Sequence, residues 1–152
     1  MKLADIYKIM EDTFSVLGLQ KGDNVFVTAN LSKLSFQVMQ DVSGILERVL
    51  KSILREEGTI MVQTYTTYVT RYGKPFMHET SRCTSGAFSQ RILENKDSIR
   101  SLHPINSFTA LGKNSIYLCK INTCNNYGLG SPLDKLLSLD GKVLKIGIPI
   151  GS

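Results

Sequence analysis

The chain has 152 residues, 42% hydrophobic and 20% charged, a balance that supports one domain with a real core and excludes disorder as its default state. Lys and Arg outnumber Asp and Glu by 18 to 13, a net charge of +5, which suits an anionic partner. The cations are scattered, without a run or a recognisable module, so a phosphate-bearing small molecule fits better than nucleic acid.

No apolar run is long enough to span a bilayer, and the opening Met1-Lys2-Leu3-Ala4-Asp5 lacks a secretory core. The expectation is a cytoplasmic protein with no membrane partner. Cys83, Cys119 and Cys124 form no CxxC pair, and His78 and His103 do not stand at ligand spacing from them. Free thiols and no metal site are expected.

Residues 4–17 place Ile6, Ile9, Met10, Phe14 and Leu17 at helical spacing, and Gly18 supplies a stop. Residues 24–29 read as a buried strand, and residues 30–37 as a loop. Val42, Ile45, Leu46, Val49, Leu50, Ile53 and Leu54 then recur at three- and four-residue steps, which predicts an amphipathic helix. A strand over 59–63 completes a strand–helix–strand unit, normally parallel. The polar, tyrosine-rich stretch 64–84 is either a functional loop or a surface excursion pinned by its aromatics.

Residues 85–95 predict a helix with Thr84 or Ser85 as its cap. A short strand over 107–111 and a short helix over 114–121 follow. Pro132 suits the first turn of another helix, because its missing N–H would have been unbonded there. A final apolar strand spans 142–150. The alternation predicts an α/β fold: three α/β/α layers around a mostly parallel or mixed sheet, one domain over 1–152. That domain looks incomplete, because the chain stops where a further loop and covering helix are expected.

The segment Arg100-Ser101-Leu102-His103-Pro104, with Ser107 and Phe108 just beyond, concentrates polar groups at a strand entry. Proline disfavours the α region for the residue before it, so His103 is held extended. Four ordered blocks carry a family resemblance. They are Gly22 to Ser32; Gly58-Thr59 through Thr64-Tyr65-Thr66; Arg100-Ser101-Leu102-His103-Pro104 with Ser107; and Tyr127-Gly128 with Gly130-Ser131-Pro132, running on to Gly141-Lys142-Val143-Leu144. In these the chain resembles the aminoglycoside 3-N-acetyltransferase family, the acetyl-coenzyme A enzymes distinct from the GNAT fold.

The family's chains run longer, and this one resembles their N-terminal portion. A further histidine held to take part in the family's catalysis lies beyond the matched region. Thr28, Asn30 and Gln63 stand where the family usually has histidine, serine and proline, which widens the expected acceptors from antibiotics to other amino sugars.

The resemblance implies transfer of an acetyl group from acetyl-CoA, as acyl donor, to an amine of an aminoglycoside or other amino sugar, with antibiotic resistance as the associated role. The alternative is a catalytically silent fragment that keeps part of a CoA site. On this reading Thr28, Asn30, Leu31, Ser32, Lys33, Arg100, Ser107 and Phe108 face the donor, and Tyr65, Thr66 and Glu79 face the acceptor. His103 is the one base candidate retained. From the residues alone, Arg100 in a surface ion pair and Ser107 as a strand-end hydroxyl are the favoured readings, and His103 is at least as readily a half-buried ring that bonds a neighbouring carbonyl to shape the loop. The oligomeric state stays open, a homodimer among the options.

Overall fold

A computed structural model describes residues 3–33, 41–120 and 124–149. Helix α1 (Leu3–Val16) buries Ile6, Met10 and Phe14 along one stripe. Ile9 and Leu17, expected on that face, are 50% and 64% exposed, because the stripe is a single i, i+4 row. The helix ends at Gly18, whose φ of +87° favours glycine. There Leu19 N–H donates to the Phe14 carbonyl and Gly18 N–H to that of Ser15, both at 3.0 Å.

Strand β1 (Asn24–Ala29), a 3-10 turn (Leu31–Lys33), helix α2 (Val42–Leu54) and strand β2 (Thr59–Gln63) follow. Most of the expected loop 30–37 lies outside the described residues. Asp41 caps α2 by accepting the Gly44 N–H at 2.9 Å. The 64–84 stretch contains one short helix, α3 (Tyr68–Tyr72).

Helix α4 (Ala87–Leu93) starts later than expected, with Gly86 at the N-cap and no side-chain cap. Ser85 instead accepts the Tyr65 N–H at 2.9 Å. Strands β3 (Ile99–Arg100) and β4 (Phe108–Gly112) form an antiparallel pair. A π turn (Ile116–Lys120), helix α5 (Pro132–Ser138) and strand β5 (Lys142–Ile146) complete the chain.

The sheet runs β3-β4-β2-β1-β5. β1 is parallel to β2 and to β5, while β4 is antiparallel to both β2 and β3. It is therefore mixed, as the expectation allowed. Alternation along β1 sends Val25 and Val27 to one face and Phe26 to the other. On the first face Ile6, Phe14, Ile45, Val49, Leu50, Phe88 and Ile92 of α1, α2 and α4 close the larger core. On the second, Met61, Phe108, Ala110, Leu118, Cys119 and Leu136 pack beneath the π turn and α5. Among the described residues that second face is open over β5, where Val143, paired with Phe26, is 61% exposed. Among the described residues no helix is long and apolar enough to cross a membrane.

An ion cluster around one buried carboxylate ties α2 to α4. Glu47 is 7% exposed and accepts from Lys51 at 2.7 Å, Arg91 at 2.5 Å and Asn95 at 3.2 Å. Burial pushes its carboxyl up, but Lys51 and Arg91 outweigh that and hold it below its ordinary 4.5. A depressed folded-state value means that the stabilisation is complete above 4.5 and is lost as pH falls through the lowered value. Glu47→Gln should cost roughly 1–2 kcal/mol at neutral pH. It should also flatten the acid-side loss of stability, read as urea midpoints at neutral pH and below 4.5.

Candidate functional site

The strand directions bring five chain ends to one edge of the sheet. β1, β2, β3 and β5 finish there, and β4 begins there. Ligands of open α/β sheets bind at such carboxyl edges. A cleft of about 540 Å³ opens at this edge. Thr28 to Ser32, Gln63, Thr84 to Ala87, Ser89 and Ile148 line it.

The turn after β1 is tightly held. Asn30 N–H donates to the Ile146 carbonyl at 2.8 Å, and Ser32 Oγ donates to Asn30 Oδ1 at 2.6 Å. Gly147 lets β5 pass beneath it: its φ is +64°, and a Cβ there would lie 2.5 Å from the Asn30 carbonyl oxygen. Thr28 Oγ1 is the one buried side-chain polar atom without a partner among the described residues. Such an atom carries a desolvation cost until a ligand or water meets it. Among the described residues no side chain lining the cleft is titratable.

Beside the cleft, the Arg100 signature turns inward. Arg100 is 6% exposed. Its Nε donates to Ser107 Oγ at 3.0 Å, Nη1 to the carbonyls of Ser81 at 2.7 Å and His78 at 3.2 Å, and Nη2 to the Thr64 carbonyl at 3.0 Å. Its guanidinium also lies 5.0 Å from the centre of the Phe76 ring. Ser107 is wholly buried and donates to the same Thr64 carbonyl at 2.8 Å. These two residues buckle the 64–84 loop to the sheet.

Arg100 and Ser107, expected at a donor's phosphate or thioester, here donate to internal oxygens and do not line the cleft. Phe108, expected beside them, is 0% exposed and packs edge-on to Phe26 and Tyr65, each at 5.9 Å. Thr66, expected at the acceptor, is fully buried, and its hydroxyl donates to the Pro104 carbonyl.

Tyr65 is half-buried, and its hydroxyl meets that of Tyr127 at 2.9 Å. Burial, then Tyr127, push its ionisation up, so it stays a neutral phenol. Glu79 stands exposed on the loop, and Lys33 exposed at the end of the 3-10 turn, outside the cleft lining.

His103, expected as the base, bonds its own turn. Its Nδ1 accepts the N–H groups of Ile105 at 3.1 Å and Asn106 at 2.9 Å, and His103 does not line the cleft. The sequence reading passed over Ser85, Gly86, Ser89 and Ile148. The one signal for the first two was the helix start near residue 85, which does not say which strand ends it faces.

The model of the aminoglycoside 3-N-acetyltransferase family matches residues 26–152. The chain belongs to that family. Aminoglycoside N(3)-acetyltransferase VII of Streptomyces paromomycinus is 26% identical over 159 residues, covering 90% of this chain and 53% of that protein. Among solved structures, aminoglycoside acetyltransferase AAC(3)-Xa superposes with a TM-score of 0.83 at 23% identity, over 94% of this chain and 56% of its own. AAC-IIIb in binary complex with CoASH gives 0.83 at 23%, over 95% and 60%. AAC-VIa bound to sisomicin gives 0.78 at 20%, over 91% and 58%. At these identities the structural likeness is one of fold. The chain spans about half the length of the relatives it matches.

Proposed function

We propose that this chain carries the acyl-donor cleft of an acetyltransferase, binding acetyl-CoA for transfer of the acetyl group to an amine of an aminoglycoside or other amino sugar. The observation that carries the reading is the carboxyl-edge cleft, lined by neutral polar groups and by Thr28, whose buried hydroxyl has no partner among the described residues, in a chain of this family. Asn30, Ser32, Gln63 and Ser85 suit the amide-rich pantetheine arm of the donor. The AAC-IIIb structure with CoASH supports the same choice of donor. Of the sequence-selected residues, Thr28, Asn30, Leu31 and Ser32 stand as donor contacts, with Lys33 as a nearby cation.

In the reaction the amine nitrogen attacks the thioester carbonyl, the C–S bond breaks, and the sulfur leaves as the CoA thiol. The ammonium proton of the intermediate must pass to a base. The product amide is neutral where the amine was cationic, which is the basis for extending an antibiotic-resistance role to this chain. A cytoplasmic setting belongs to the same reading.

One observation favours a second reading. With no titratable side chain lining the cleft among the described residues, the chain by itself would hold the donor without turning it over. Calorimetric titration with CoA, paired with thiol release from acetyl-CoA in the presence of kanamycin-type or simple amino-sugar acceptors, separates the cases. Binding with release supports the enzyme, and binding without release supports the silent donor-binding unit. No binding overturns both.

A further inference from the structure

We propose that His103 is a positioning residue, the acceptor that shapes the turn behind the cleft wall, and not the base of the reaction. An imidazole nitrogen that accepts two N–H bonds cannot also carry a proton. With Nδ1 facing the N–H groups of Ile105 and Asn106, the neutral ring holds its proton on Nε2. Neither nitrogen of that ring is then free to take a proton from an amine without giving up the turn.

The turn matters because of what hangs on it. Thr66 N–H donates to the Ile105 carbonyl, and Thr64 N–H to that of Ser107, both at 2.8 Å. Between them, Tyr65 faces the other way. Its N–H goes to Ser85 Oγ at 2.9 Å, and its carbonyl receives the Thr84 N–H at 2.7 Å. Thr84 and Ser85 line the cleft. The histidine thus acts at second hand, through residues 105–107, then 64–66, then the wall itself. Asparagine can reproduce this role: its side-chain oxygen accepts a backbone N–H two residues on, as in an Asx turn. Alanine cannot.

The binding readout rests on the acyl-donor reading, whereas the spectroscopic one does not. Nitrogen-15 spectra of the imidazoles, recorded about two units above an ordinary histidine pKa of ~6.5, should show the Nε2–H form for the ring that disappears in His103→Asn. The Nδ1–H form there would overturn the proposal. CoA affinity should fall about tenfold in His103→Ala, the worth of lost turn hydrogen bonds, and be restored to within about threefold of the parent chain in His103→Asn. An asparagine variant as weak as the alanine one would also overturn it. If the parent chain fails to bind CoA, the donor reading falls by itself. The tautomer, with the order of unfolding midpoints (parent and Asn above Ala), still decides the role of His103.

Discussion

Arg100→Ala should lower the unfolding midpoint by roughly 6–12 °C, the equivalent of about 3 kcal/mol in a chain of this size. The guanidinium is almost wholly buried and serves Ser107 Oγ and three carbonyls, those of Thr64, His78 and Ser81. Hydrogen bonds to a charged group are each worth about 1.5–3 kcal/mol, and buried oxygens left without donors add their own cost. The sum is less than additive, since the loop can relax and admit water. Arg100→Lys should recover only a part, because an ammonium is a single point of charge that cannot fork to four oxygens. Thermal unfolding by circular dichroism, alongside CoA titration, is the check. A midpoint unchanged while CoA affinity collapses would mean that the arginine meets the ligand after all.

The second large effect is expected at Phe108. Its ring is fully buried, with Phe26 and Tyr65 edge-on to it, in the smaller core beneath α5 and the π turn. Phe108→Ala should destabilise by about 3–5 kcal/mol, combining lost burial with the cavity left behind. The cost should be steep because Phe108 itself is fully enclosed, among Met61, Ala110, Leu118, Cys119 and Leu136. Phe108→Leu should recover a good part of it. Urea midpoints measure both variants. A parent-like midpoint for the alanine variant would show that this core contributes little, and would return Phe108 to consideration as a ligand contact.

These two residues show where sequence reasoning stopped. Arg100, Ser107 and Phe108 stand in the segment that is richest in information, and the family resemblance runs through it. Their importance was legible, but the direction of their side chains was not. Arg100 points inward because β3 pairs with β4, setting Arg100 opposite Thr109, and because the 64–84 loop folds back over it. β3 itself left no local signal. Two residues make a strand only through their partner, and periodicity needs more than two.

The last strand shows the converse error. Its apolar run continues to Ile148, but the structure ends the strand at Ile146, where Gly147 takes a positive φ to pass under Asn30; Ile150 lies outside the described residues.

What the residues determined unaided was local. The helix over Val42–Leu54 and the strands Asn24–Ala29 and Thr59–Gln63 came out with their ends nearly in place. Each is set by a repeat of 3.6 or 2 residues and a nearby cap or glycine, and such signals need no distant partner. Only the tertiary structure decided that β4 runs against β2, that residues 84–87 and Ser89 come to line the cleft with the β1 turn, and that the signature arginine looks inward. Those outcomes depend on groups twenty to fifty residues apart competing for the same buried oxygens and N–H donors. That competition is settled by packing, which no local pattern encodes.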